Sequence, residues 1–115
     1  KIDGVDRKVI MQAPKNGFFY VLDRLTGEFL SASNYVYQNW AKGLDPKTGR
    51  PIPNPEVADY TAGPRLVFPG MQGGHNWQPM AYSPKTGLVY IPAMEAGMVF
   101  VDAAKRPIGA VSGSF

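Results

Sequence analysis

The apolar residues of this 115-residue chain come in short runs separated by turn chemistry. Lys8-Val9-Ile10-Met11-Gln12 predicts a first strand, and Ala13-Pro14-Lys15-Asn16-Gly17 breaks it. Pro14 cannot donate to a sheet ladder, and Asn16-Gly17 is the strongest two-residue hairpin signal available. Gly17 to Asp23 (Gly-Phe-Phe-Tyr-Val-Leu-Asp) predicts a second strand, apolar enough to be buried on both faces. Arg24-Leu25-Thr26-Gly27 turns the chain and Glu28-Phe29-Leu30-Ser31-Ala32 returns it, giving a meander of three antiparallel strands.

From Ser33 to Gln72 the periodicity fades. Tyr35-Val36-Tyr37 predicts a short strand, Asn39-Trp40-Ala41 a packed loop, and Asp45 to Pro51 a turn followed by Pro-rich coil to Pro55. A stretch this long without regular structure is usually functional or belongs to a larger assembly. Beyond it, Met80–Tyr82, Leu88–Ile91 and Met98–Asp102 predict three further strands. The tail from Arg106 is rich in Gly and Ser and is expected to fray or to continue into further sequence.

One turn recurs. Val21-Leu22-Asp23-Arg24-Leu25-Thr26-Gly27 and Ala81-Tyr82-Ser83-Pro84-Lys85-Thr86-Gly87 share a frame, and Asp45-Pro46-Lys47-Thr48-Gly49 repeats its second half. In such a turn Asp or Ser caps backbone N–H groups, Thr supports it, and Gly takes the positive φ. A single Asp-x-x-Thr-Gly is a common hairpin turn. Its recurrence between strands points to β-propeller blades, each of which repeats one meander.

Composition narrows the choice. Thirteen Gly and eleven Pro make these residues about twice as frequent as usual, which favours short strands and turns over helices. The net charge of +3 is mild and its basic residues are scattered, so a nucleic-acid partner is not expected. There is no cysteine, which excludes disulfides and thiolate metal sites in these residues. No apolar run approaches the roughly 20 residues needed to span a bilayer. The chain opens on Lys1-Ile2-Asp3-Gly4, without an initiating Met or a signal peptide, as an excised piece or a processed product does.

Two stretches carry a family resemblance: Met11-Gln12-Ala13-Pro14-Lys15-Asn16-Gly17-Phe18-Phe19-Tyr20-Val21-Leu22-Asp23-Arg24, and Gly74-His75-Asn76-Trp77-Gln78-Pro79 through Ile91-Pro92-Ala93. They resemble the pyrroloquinoline-quinone (PQQ)-dependent alcohol dehydrogenases, the quinoproteins and quinohaemoproteins. The resemblance extends over nearly the whole chain. The repeated turn is similar to that family's tryptophan-docking motif, Ala-x-Asp-x-x-Thr-Gly-x-x-x-Trp. Val21 stands where the first copy would have Ala, Ser83 where the second would have Asp, and Ser31 and Ile91 where the closing Trp falls.

The resemblance implies an all-β fold of four-stranded antiparallel meanders, about two blades of an eight-bladed propeller. Residues 1–115 would then be one partial propeller domain with no separate second domain. It implies PQQ on the propeller axis, calcium beside it, a periplasmic location, and oxidation of primary alcohols or aldehydes with a cytochrome-type electron acceptor. By position, Lys15 matches the cation that contacts the quinone oxygens, and Asn76 and Trp77 match residues at the cofactor edge. Lys15 stands where methanol dehydrogenases of the family carry Arg, which tilts the likeness toward the broader alcohol dehydrogenases, including those with an appended haem c domain. The family's catalytic Asp, calcium ligands, vicinal disulfide and PQQ-stacking Trp lie upstream, and its haem-binding Cys-x-x-Cys-His downstream. No catalytic residue and no metal ligand is therefore assigned here, and the segment is expected to be inactive alone.

Without the resemblance these residues read more simply. Lys15 is a solvated turn lysine, Asn76 a loop amide capping its own backbone, and Trp77 a packing residue. His75, the only histidine, lacks a nucleophile or metal partner and is read as a structural loop residue. Trp40 is expected to pack between blades. The competing class is a non-enzymatic β module with a binding or scaffolding role. In either case two isolated blades leave unpaired sheet edges, so the chain is expected to self-associate as a homo-oligomer.

Overall fold

Antiparallel pairing accounts for nearly all regular structure in the computed structural model, which describes residues 1–105 apart from Asp3. Strands β1 (Val9–Gln12), β2 (Phe18–Asp23) and β3 (Phe29–Asn34) form one sheet in the order β1-β2-β3. Val9 lies opposite Asp23 and Gln12 opposite Tyr20, while Phe18 lies opposite Asn34. This is the expected meander. In β2 only Phe18 is buried and the other residues are half-covered, so the described residues do not bury this strand.

Three two-stranded ribbons follow. β4 (Ala41–Leu44) pairs with β5 (Pro51–Pro53), β6 (Arg65–Val67) with β9 (Met98–Phe100), and β7 (Ala81–Ser83) with β8 (Leu88–Tyr90). A single helical turn, α1 (Pro55–Ala58), sits between β5 and β6. The Asn54 side chain accepts from Glu56 N at its N-terminus and Pro55 opens it, the position where a missing N–H costs nothing.

Several expectations change. Tyr35-Val36-Tyr37 is a bend, because its donors go elsewhere: Tyr35 N to Gly17 O at 3.0 Å, and Tyr37 N to Glu95 Oε1 at 3.0 Å. The stretch expected to be Pro-rich coil pairs as β5, at a ribbon edge where proline is tolerated. Ala41 begins β4 rather than sitting in a loop. β6 lay in the stretch without periodicity, and it finds its partner β9 more than thirty residues later. Asn16-Gly17 does not close a two-residue hairpin; residues 13–17 form a longer connection between β1 and β2. The Gly- and Ser-rich tail lies outside the described residues.

The recurring turn has the anticipated chemistry in all three copies. Asp23 Oδ1 accepts from Leu25 N (2.8 Å) and Thr26 N (3.0 Å), and Asp45 Oδ1 from Lys47 N (2.9 Å) and Thr48 N (2.8 Å). Ser83 Oγ accepts from Thr86 N at 3.4 Å. The threonine hydroxyls accept from Glu28, Arg50 and Leu88 N. Gly27, Gly49 and Gly87 hold φ of +77°, +69° and +69° and return their N–H to Asp23, Asp45 and Ser83 O.

The interior is thin. Among the described residues Ala13, Phe18, Val36, Ala41 and Pro69 are the buried apolar side chains, and no large side chain is fully enclosed. Trp40 packs edge-on against Phe18 with centroids 6.1 Å apart. Leu66, Tyr82, Leu88, Tyr90 and Val99 are more than half exposed. The radius of gyration is 17.3 Å, against about 13 Å for a compact domain of this length.

The turn carboxylates give a pH test. The backbone N–H groups of Leu25 and Thr26 lower the Asp23 carboxyl, and those of Thr48 and Lys47 lower Asp45. Lowered folded values mean that the contribution is complete above the unfolded carboxyl value of about 3.9 and fades as pH falls through the folded values. Asp45→Ala is expected to melt below the parent by a margin constant from pH 7 to about 5 and shrinking below about 4. A margin that does not change with pH would show that the charge is not what holds the turn.

Candidate functional site

The loop between β1 and β2 is built almost entirely by its carbonyls. Ala13 O lies 2.7 Å from His75 Nδ1, and Pro14 O accepts the Tyr35 hydroxyl at 2.6 Å. Lys15 O accepts Gly74 N at 3.0 Å, Asn16 O the Trp40 indole N–H at 2.9 Å, and Gly17 O Tyr35 N at 3.0 Å. Five successive acceptors are thus satisfied by groups from residues 35, 40, 74 and 75. The Asn16 side chain closes the turn locally, accepting from Phe18 N at 3.1 Å and donating to Tyr20 Oη at 3.1 Å. Burial pushes the Tyr35 phenol up to about 12, so it remains a donor to Pro14 O throughout the physiological range.

Gly73 and Gly74 let the second segment lie directly on this loop. Gly73 has φ +80°, and a Cβ there would stand 2.5 Å from Lys15 Cβ and 2.7 Å from its Cα. A Cβ on Gly74 would stand 2.5 Å from Val36 Cγ2 and 2.9 Å from Tyr35 Oη. His75 then enters, 8% exposed, with Nδ1 against Ala13 O and Nε2 2.6 Å from Gln78 O. The structural role read for His75 from sequence matches this placement.

Where the two segments meet, a cleft of about 390 Å³ opens, lined by Gln12, Ala13, Pro14, Lys15, His75, Asn76 and Met80. Lys15 and Asn76, sixty-one residues apart in sequence, share it. Lys15 has no ion-pair partner among the described residues. Asn76 donates from Nδ2 to Gln72 O at 3.3 Å, the local backbone contact of a loop amide, and keeps its carbonyl oxygen available. Trp77 is not among the residues lining the cleft, and the residue is 82% exposed. Gln12 and Met80 line the cleft without having been singled out in the sequence, where nothing beyond their place next to Ala13 and Pro79 marks them.

A cation, an amide and an apolar wall can hold a flat ligand with an electron-rich oxygen. The other clefts differ. One of about 420 Å³ between β3 and the Asp45 turn contains no cation, and another is lined by Val9, Met11 and Tyr82. Among the described residues, no three His, Asp or Glu come together as a metal cluster.

No protein-family model matches the chain. It is 57% identical over 102 residues to the dehydrogenase subunit of a quinone alcohol dehydrogenase of Komagataeibacter europaeus, covering 88% of this chain and 14% of that protein. It is 63% identical over 94 residues to a quinohaemoprotein alcohol dehydrogenase of Pseudomonas putida, covering 80% of this chain and 13% of that one. The chain therefore spans about a seventh of the length of the curated relatives it matches.

Solved structures agree. A quinohaemoprotein alcohol dehydrogenase of P. putida superposes with a TM-score of 0.84 at 58% identity, over 87% of this chain and 15% of that one. That of Comamonas testosteroni gives 0.84 at 50% identity, over 91% of this chain and 15% of that one. A europium-containing methanol dehydrogenase matches less well, at 0.75 and 38% identity, over 80% of this chain and 16% of that one. The chain is homologous to one segment of these alcohol dehydrogenases and has the fold of the matching part of their β-propeller. The lower methanol dehydrogenase identity agrees with the tilt read from Lys15.

The Gly73 contact provides a stability test. Gly73→Ala combines left-handed strain of about 1–2 kcal/mol with a collision against Lys15, whereas Gly87→Ala, at φ +69° with open space around it, carries the strain alone. Chemical denaturation is expected to show Gly73→Ala losing clearly more stability than Gly87→Ala. Equal losses would mean that the two segments are not seated on one another.

Proposed function

We propose that this chain is an internal segment of a PQQ-dependent alcohol dehydrogenase, one partial propeller domain that contributes part of the cofactor site and is inactive alone. The observation that carries the reading is the shared cleft: an unpaired Lys15 and Asn76 meet there, in a chain 63% identical to a quinohaemoprotein alcohol dehydrogenase. The donor set suits the cofactor. PQQ is a flat quinone bearing carboxylates, and the cleft offers a cation, an amide and apolar walls at Pro14 and Met80.

When bound, PQQ supplies the two-electron acceptor for oxidation of a small primary alcohol or aldehyde. Lys15 would present its ammonium to the quinone oxygens, where negative charge builds up during reduction, an electrostatic effect worth several kcal/mol in a dry site. The Asn76 amide would hydrogen-bond the cofactor edge, accepting or donating as the oxygen requires. Trp77 would meet the cofactor edge with an indole that now stands exposed. The proton-accepting carboxylate and the calcium ligands would come from the rest of the enzyme. A periplasmic location, a cytochrome-type acceptor and an attached haem c domain follow the same reading.

In the full enzyme carrying this segment, Lys15→Ala is expected to lower kcat about a hundredfold, the scale of losing one charge-stabilising donor, with the fold intact by circular dichroism. Asn76→Ala is expected to have a smaller effect, about tenfold. Turnover unchanged by Lys15→Ala would remove the assigned role.

The isolated chain is expected to self-associate, since strand edges and apolar faces that a full ring would cover stand open. Size-exclusion chromatography with light scattering is expected to show dimers or larger species. A strictly monomeric, well-dispersed chain would argue against the partial-propeller reading.

A further inference from the structure

The His75 side chain reaches from the Asn76 loop to the backbone of the Lys15 loop and also contacts the backbone of its own loop. Its Nδ1 is 2.7 Å from the carbonyl of Ala13, two residues before Lys15, and its Nε2 is 2.6 Å from the carbonyl of Gln78, two residues after Asn76. Carbonyl oxygens only accept, so each contact is a hydrogen bond when that ring nitrogen carries a proton. The residue is 8% exposed and forms part of the cleft wall. Beside it, the direct link between the two loops is the backbone bond from Gly74 N to Lys15 O at 3.0 Å. One backbone bond leaves a hinge, and a second bond from the neighbouring residue removes it.

We propose that His75 is a positioning residue that sets the spacing between Lys15 and Asn76 across the cleft. The proposal rests on the reading that both side chains contact PQQ. A misplacement of about 1 Å at either loop would degrade binding and turnover without altering any contacting side chain. The Ala13 contact matters more than the Gln78 contact, because it joins the two loops while the other closes the His75 loop on itself.

The test uses the full enzyme carrying this segment and follows PQQ affinity by titrating apo-protein with PQQ and recording intrinsic fluorescence quenching. His75→Gln places its amide near the position of Nε2 and forfeits Ala13; His75→Asn places its amide near Nδ1 and keeps it. We expect His75→Gln to weaken PQQ binding about tenfold, as loss of an outer-shell support typically does, and His75→Asn to stay close to the parent. Lys15→Ala and the Lys15→Ala/His75→Gln double variant complete a cycle. If His75 acts through Lys15, the double variant loses less than the product of the single losses.

Equal losses for Gln and Asn, no loss for Gln, or multiplicative losses in the cycle would overturn the proposal while leaving the Lys15 assignment intact. No loss for Lys15→Ala itself would overturn that assignment and the proposal with it. Apo-protein melting is recorded for each variant. Should one of the two His75 variants fail to fold, the other still decides: Asn is expected to match the parent, and Gln to fall short of it.

Discussion

Everything at the candidate site depends on how the connection between β1 and β2 satisfies its backbone. A loop containing Pro14 cannot continue the ladder, and the carbonyls of residues 13–17 must find donors elsewhere or stay hydrated. They find them in the Tyr35 hydroxyl and amide, the Trp40 indole, Gly74 N and the His75 ring. Each such bond contributes only about 1 kcal/mol net, yet all five act on one short loop. Leaving any one buried acceptor bare costs more than the bond itself contributes, so the arrangement is favoured as a unit. The bend at Tyr35–Tyr37, the entry of Trp40 beside Phe18 and the paired glycines 73 and 74 all serve this loop.

The remainder of the chain is held by short-range chemistry. Each Asp- or Ser-x-x-Thr-Gly turn closes its own hairpin through bonds spanning a few residues, and these need no neighbouring layer. The sheets, by contrast, have little to pack against. Leu66, Tyr82, Leu88, Tyr90 and Val99 on β6 to β9 stand more than half exposed, and Ala13, Phe18, Val36, Ala41 and Pro69 are the few buried apolar side chains among the described residues. Local turns therefore fix the strands, while the burial that normally stabilises sheets is left to surfaces outside these residues. That division is what a piece of a larger ring requires: hairpins that form alone, and faces that wait for neighbours.

How much of this was legible follows from the range of each interaction. The β1–β3 meander and the three turns were readable because alternation, Gly and Asp act within a few positions. β5 was hidden by its prolines, which argue against a strand unless the strand lies at an edge. β6 gave no signal because no turn chemistry joins it to its partner β9, which lies more than thirty residues away. At the site, the Lys15–Asn76 pairing came from resemblance rather than from pattern, since nothing local joins residues so far apart. The hint that was available was Gly73-Gly74: two adjacent glycines allow another backbone to come close, and here that backbone is Lys15's. The position of Trp77 was not legible at all, because an exposed indole and a buried one look alike in a sequence.

A site assembled in this way is fixed in its backbone and free in its side-chain ends. Lys15 is anchored at its carbonyl and both neighbours, but its four-carbon stem keeps close to 2 kcal/mol of rotamer entropy, and no carboxylate holds its ammonium among the described residues. Asn76 has one weak bond to Gln72 O, which it can exchange for a ligand oxygen at little net cost. Such a division would suit the role proposed for Lys15, a cation meeting charge that develops on a bound quinone. A salt bridge would pre-orient Lys15 but neutralise the charge that the proposed role needs. A locked loop with an unpaired head keeps that charge available and leaves only the stem to be ordered when the ligand arrives.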